Sequence, residues 1–170
     1  GLPQARAQAP NVLLIVLDTV RARSLSLYGY ERPTSPSLDA FARTGVRFDN
    51  AIAPAPWTLP THASLFSGRL PKELTADWRS PLDRTHATLA EVLQQRGYMT
   101  VGDVANLLYT TSSTGLDRGF LRYSDFPLST ATFMEQSWLV RPLVGEVRRN
   151  LNAEDMMVRK SGAEVTDAFL

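Results

Sequence analysis

In WTLPTHASLFSGRLP, residues 57–71, a threonine hydroxyl at position 58 stands just ahead of a short amphipathic run, with Pro60 in its opening and Gly68 at its close. His62, one of two histidines in the chain, follows four residues later. Two chemistries use this arrangement. Thr58 can cap a helix, its side-chain oxygen accepting an N–H of the first turn while Pro occupies an early helical position. The same N-terminus offers free N–H groups and a partial positive charge that suit a phosphate or sulfate ester, and a hydroxyl held beside it can act as a nucleophile. The local pattern leaves both open. Asp18 is the second group of interest. It ends NVLLIVLD, residues 11–18, an unbroken leucine and β-branched run of the kind that forms a strand buried on both faces of a parallel sheet. The carboxyl end of such a strand is where open α/β sheets place their ligands.

The elements around these groups alternate between helix and strand. TSPSLDAFARTG, residues 34–45, predicts a helix with Ser35 as cap and Pro36 in the first turn. Leu38, Phe41 and Ala42 share one face, and Gly45 is the stop. VRFDNAIA, residues 46–53, alternates apolar and polar and predicts a strand with one face in water. Residues 69–85 have no period and read as loop. In TLAEVLQQRGYMTVGDVA, residues 88–105, Thr88 and Glu91 form a capping box. An apolar face of Leu89, Val92 and Leu93 runs to Gly97, and a strand is expected from about Tyr98. Residues 106–127 read as loop, and Phe133 onward as mostly helical, interrupted at Gly145 and Gly162.

Composition bounds the rest. With 170 residues, 44% of them hydrophobic and 21% charged, the chain has ordinary globular content. A formal net charge of +1 gives no field that would attract nucleic acid or an anionic membrane, so neither is an expected partner. Cysteine is absent, which excludes disulfides, thiolate metal sites and a thiol nucleophile. The longest apolar run, Val12 to Leu17, is too short to span a bilayer. Residues 1–10 read as a flexible lead-in, with order expected from Asn11.

The whole stretch from PNVLLIVLD through WTLPTHASLFSG, continued by TLAEVLQQRGYMT and GLDRGFLRYSDF, resembles the N-terminal part of sulfatases and their relatives in the alkaline phosphatase superfamily. The resemblance implies an α/β fold, an alkaline phosphatase-like sandwich whose central, mostly parallel sheet is flanked by helices, with only the N-terminal portion of the single domain in residues 11–170. In that family a C-x-P-x-R or S-x-P-x-R segment carries the residue converted to formylglycine. Here it is T-x-P-x-H, formed by Thr58, Pro60 and His62. A threonine cannot be converted, and the departure resembles the branch that keeps an unmodified Thr nucleophile, phosphodiesterases and phosphoethanolamine or phosphoglycerol transferases among them.

Carried onto this chain, the resemblance makes Thr58 the nucleophile and Asp18 a metal ligand, with Thr58 sharing the ion. It places His62 where sulfatases have the Arg that supports the nucleophile, and Asn106 roughly where they present a Lys to the anion. Sulfatases usually have two adjacent Asp at the first ligand position; here Asp18 is followed by Thr19. The implied cofactor is a divalent ion, with calcium, zinc and manganese all open. The implied reaction is hydrolysis of a sulfate or phosphate ester of a small molecule, glycan or lipid, with group transfer or a non-catalytic truncated fragment as alternatives. A periplasmic or extracellular setting is the family's usual one. The remaining ligands of the family, an Asp-His pair among them, have no counterpart here, so the chain reads as an N-terminal piece of a larger hydrolase. If the site assembles, the side-chain oxygens of Asp18 and Thr58 are expected within about 5 Å in a metal-loaded form. Trp57, His86, Asp103 and the charged run at 146–150 read as packing, helix flank, strand end and solvated face.

Overall fold

A computed structural model describes residues 9–125 and 162–169. Helices α1 (Pro36–Ala42), α2 (Thr58–Ser67) and α3 (Leu89–Gln95) lead to strand β1 (Val101–Asp103). Strand β2 (Arg122–Ser124) and helix α4 (Gly162–Phe169) follow, and short 3-10 turns fill the connections. The two strands pair in parallel, Val101 opposite Arg122 and Asp103 opposite Ser124. Helices beside a parallel ladder place the chain in the α/β class.

The local stop and start signals act as their chemistry requires. α2 ends at Gly68, whose φ of +65° is the left-handed conformation that closes a helix. α3 opens on a reciprocal box: Thr88 N–H donates to Glu91 Oε2 at 2.8 Å, and Glu91 N–H to Thr88 Oγ1 at 3.2 Å. α1 begins at Pro36 as expected, but Ser35 does not cap it with its side chain. The Ser35 hydroxyl donates to Asp39 Oδ1 at 3.0 Å, and Ser26 donates to Asp39 Oδ2 at 2.7 Å, tying the helix to the preceding turn.

The core lies between α2 and the loops after it. Leu59 and Ala63 of α2 pack with Ala76, Leu82 and Leu116, and Phe66, Leu74 and Tyr109 close the cluster. The segment 116–121 is clamped to α3 and β1. Thr88 Oγ1 donates to the Arg118 carbonyl at 2.8 Å, and Thr100 Oγ1 donates to that of Gly119 at 2.5 Å. The nearly buried Arg118 guanidinium donates to the carbonyls of Asp83 and His86 and to Glu91 Oε2, the last at 2.9 Å.

Two expected strands are absent. Residues 11–17 form neither helix nor strand, and Val12 to Leu17 are 43–69% exposed instead of central. Residues 46–53 likewise form no strand, with Val46, Phe48 and Ile52 largely exposed. An apolar run becomes a buried strand only when neighbours take up its N–H and C=O groups and cover both faces. The single ladder among the described residues, β1 with β2, does not reach these segments. β2 in turn arises within residues 106–127, read from sequence as loop, because three residues carry too little alternation to announce a strand. The lead-in reading of residues 1–8 and the helical reading of 133–161 fall outside the described residues.

Glu91 supplies an acid-sensitive element. The hydrogen bond from Arg118, outweighing partial burial and aided by the Thr88 N–H, holds its carboxyl below the ordinary value of 4.5. A depressed folded pKa contributes stability that is complete above the unfolded value and is lost as pH falls through the folded one. Glu91→Gln is therefore expected to lower the melting temperature at pH 7 and to flatten its decline below about pH 4.5. Thermal melts from pH 7 to pH 3 check this; parallel curves for the two proteins would remove Glu91 from the acid response.

Candidate functional site

Thr58 is the first residue of α2, with Trp57 in extended conformation at the cap position, φ −137° and ψ 140°. No side chain caps this helix. The Thr58 hydroxyl points instead to a carboxylate 40 residues earlier, its Oγ1 lying 3.3 Å from each oxygen of Asp18. Asn106 closes on the same carboxylate, Nδ2 donating to Asp18 Oδ2 at 2.9 Å. Its amide is aimed by its own loop, for Oδ1 accepts the N–H groups of Leu108 and Tyr109 at 3.2 and 3.4 Å. Side chains from three separate segments therefore meet at one point, all of them partly buried.

His62 lies one turn along α2. Its Nδ1 is 2.8 Å from the Thr58 carbonyl oxygen, so that nitrogen carries the proton and donates. The ring meets Phe66 edge-on at 6.4 Å. His62 thus buttresses the backbone turn that carries Thr58, and its bond is to the carbonyl, not to the hydroxyl. Thr19, immediately after Asp18, has φ +61°, a left-handed conformation rare for a β-branched residue. That backward turn is one of the strained geometries that persist only where surrounding structure holds them.

The donor set limits what the site can hold. Asp18 gives two carboxylate oxygens and Thr58 one hydroxyl, whereas the Asn106 oxygen is turned into its loop. Among the described residues no group of three His, Cys, Asp or Glu could hold a metal ion. Zinc takes about four ligands and calcium about six to eight, so these residues do not by themselves form a divalent site.

Trp57 packs as expected, lying 6.4 Å from Trp78 in a near-perpendicular pair with Tyr109 at 6.1 Å, while staying 44% exposed; its two partners and the backbone of Thr19 are what the sequence reading does not reach. Trp78 and Tyr109 carried no spacing signal, since they come from separate loops. The strain at Thr19 has no sequence mark, because threonine is among the residues least expected there.

The chain also carries a family signature. Residues 10–144 match the model of the sulfatase family. Arylsulfatase A of Homo sapiens is 37% identical over 103 residues, covering 56% of this chain and 20% of that protein. Steryl-sulfatase of Mus musculus is 33% identical over 103 residues, covering 54% of this chain and 16% of its own length. N-acetylgalactosamine-6-O-sulfatase of Bacteroides thetaiotaomicron is 30% identical over 100 residues, covering 55% and 20%. The chain thus spans about a fifth of the length of the curated relatives it matches. No solved structure matches it. No helix among the described residues is long and apolar enough to cross a membrane. With the match running from just before Asp18 through α2, the sheet and Asn106, the chain belongs to the sulfatase family.

Proposed function

We propose that the whole protein cleaves sulfate or phosphate esters of small molecules, glycans or lipids, with the Thr58 hydroxyl as nucleophile. One observation carries the reading: Thr58 Oγ1 leaves its own helix uncapped and bonds both oxygens of Asp18 at 3.3 Å. A threonine hydroxyl is a weak nucleophile until a base takes its proton, and a carboxylate within hydrogen-bond reach is such a base. The curated relatives are named as sulfatases, which favours sulfate over phosphate as the group transferred.

The reaction follows from these positions. An ester sulfuryl group sits at the N-terminus of α2, where the first-turn N–H groups have no intrahelical acceptor and the helix dipole is positive. Thr58 Oγ1 attacks sulfur, its proton passes to Asp18, and the bond to the alcohol oxygen breaks. The departing oxygen takes up the proton that Asp18 received and leaves as the alcohol, restoring the carboxylate. Water then attacks the sulfuryl-threonine, which releases sulfate and restores the hydroxyl. Asn106 holds the carboxylate in line, and the second N–H of its amide is a donor for an oxygen of the transferred group. His62 positions the turn through the Thr58 carbonyl.

Asp18 and Thr58 are also the oxygen donors this chain would offer a divalent ion, of calcium, zinc or manganese type. Such an ion, when bound, supplies charge that lowers a hydroxyl's pKa. Since the described residues do not complete its shell, no step above passes through it. The fold reading extends in the same way: the chain is the N-terminal part of an alkaline phosphatase-like sandwich. An unmodified Thr also suits transfer to a lipid or glycan hydroxyl in place of water, which the same test reads.

The test is turnover of the whole protein on an aryl sulfate, a phosphate monoester and a phosphodiester, each with chelator and with added calcium, manganese or zinc. Rapid quench and peptide mass spectrometry then look for a sulfuryl or phosphoryl adduct. An adduct on the peptide carrying Thr58 is expected. Turnover with the adduct on another residue would overturn the assignment, and glycerol adducts among the products would make the enzyme a transferase.

A further inference from the structure

The segment that leads into Thr58 has little of its own to hold it. Residues 46–53 form no strand, and Pro54 and Pro56 have no N–H to give. Each proline favours extended backbone at the residue before it, and Trp57 is itself extended. Where such a segment lies depends on what grips it from outside. Thr61, in the first turn of α2, does so twice. Its N–H donates to the Trp57 carbonyl at 3.2 Å, and its hydroxyl donates to the Ala55 carbonyl at 2.9 Å, so one residue holds the chain on both sides of Pro56. Among the described residues, the bond from the hydroxyl is the one hydrogen bond to the backbone of residues 52–56. It is also an unusual bond for a helical hydroxyl. Ser67 of the same helix shows the ordinary pattern, donating to the carbonyl four residues back, Ala63, at 2.7 Å. Thr61 reaches six residues back, past the start of its helix.

We propose that Thr61 is a positioning residue for Thr58: its hydroxyl anchors the entering segment so that the Thr58 oxygen stays on the Asp18 carboxylate. The inference rests on the reading of Thr58 as the nucleophile. The tolerance is small. Thr58 Oγ1 lies 3.3 Å from each Asp18 oxygen, at the far edge of hydrogen-bond reach, and a further shift of about half an ångström would end the contact. Thr58 is steadied from two directions. His62 holds its carbonyl from within the helix at 2.8 Å, and Thr61 holds the segment that precedes it. What position 61 needs is the hydroxyl. Valine has nearly the same shape but donates nothing, which leaves the half-buried Ala55 without its donor and the segment free to move.

The test compares the whole protein as wild type, Thr61→Val, Thr61→Ser, Thr44→Val and Thr58→Ala, with thermal melts to confirm that each folds. Steady-state kinetics on the ester it turns over give kcat and KM separately, and amide hydrogen exchange follows Ala55 and Trp57. Thr61→Val is expected to lower kcat by about ten- to a hundredfold, the scale on which misplacing a reacting group acts, with KM unchanged and faster exchange at both amides. Thr61→Ser keeps the donor and should stay within a few-fold of wild type in kcat. Thr44→Val loses a bond of the same kind, from the hydroxyl to the Phe41 carbonyl at 2.8 Å, away from the site, and should leave kcat unchanged. Unchanged kcat in folded Thr61→Val would reduce Thr61 to a structural tie and overturn the proposal. So would unchanged exchange, an equal loss in Thr61→Ser, or an equal loss in Thr44→Val. The two readings fail differently: full turnover in Thr58→Ala removes the nucleophile and this proposal with it, whereas an inactive Thr58→Ala beside a fully active Thr61→Val removes this proposal alone.

Discussion

Thr58→Ala in the whole protein is expected to lower turnover by roughly four to six orders of magnitude, the scale on which loss of a nucleophile acts when its partners cannot substitute. Stability should hardly change. The hydroxyl makes no cap, so its removal deletes only the long bonds to Asp18, worth about 1 kcal/mol together and at most a few degrees of melting temperature. Thr58→Ser keeps the oxygen and loses a methyl, and measurable turnover should survive. A helix cap would behave in the opposite way, with reduced stability and full activity per folded molecule. Melting temperature and initial rate on the same three proteins separate the two, and undiminished turnover in Thr58→Ala would end the nucleophile assignment.

The second large effect concerns stability. Gly119 has φ +84°, and a Cβ added there would lie 2.1 Å from the backbone N of Glu91 and 2.6 Å from the carbonyl carbon of Ala90. Both are backbone atoms of α3 and cannot swing aside. The carbonyl of Gly119 accepts the Thr100 hydroxyl and that of Arg118 accepts the Thr88 hydroxyl, so moving the loop would break the clamp on α3 and β1 together. Gly119→Ala is expected to cost more than about 3 kcal/mol, combining a positive φ with a steric clash. The melting temperature should fall by about 10 °C. Gly45→Ala is the control, since nothing lies within 4 Å of a Cβ there and its φ is not positive; it should melt within a degree or two of wild type. Equal melting of both variants would show that the 116–121 loop is not the clamp described.

The clamp explains why some elements were legible in the sequence and others were not. The Thr88–Glu91 box, Pro36 at the start of α1 and Gly68 at the end of α2 act between residues at most four apart. Their geometry is set by backbone torsion and short-range hydrogen bonding, which residue type alone decides. The apolar content of Val12 to Leu17 was equally plain, but whether such a run pairs depends on strands that sequence does not locate, and the described residues leave it exposed. β2 was missed for the converse reason: its three residues form a strand because β1 lies alongside them.

The site divides along the same line. Sequence by itself marked Asp18 and Thr58 as groups able to do chemistry, and resemblance to the family added His62 and Asn106. It could not choose between a Thr58 that caps its helix and a Thr58 that faces a carboxylate, because both uses begin from the same residue at the same helix end. Tertiary structure decided it by bringing Asp18 to Thr58 across 40 residues and Asn106 to Asp18 across 88. It decided also that His62 bonds a carbonyl and that Trp57 meets Trp78. A hydroxyl takes whichever acceptor the fold brings within about 3 Å, and that choice belongs to the packing of distant segments, not to the composition of any one of them.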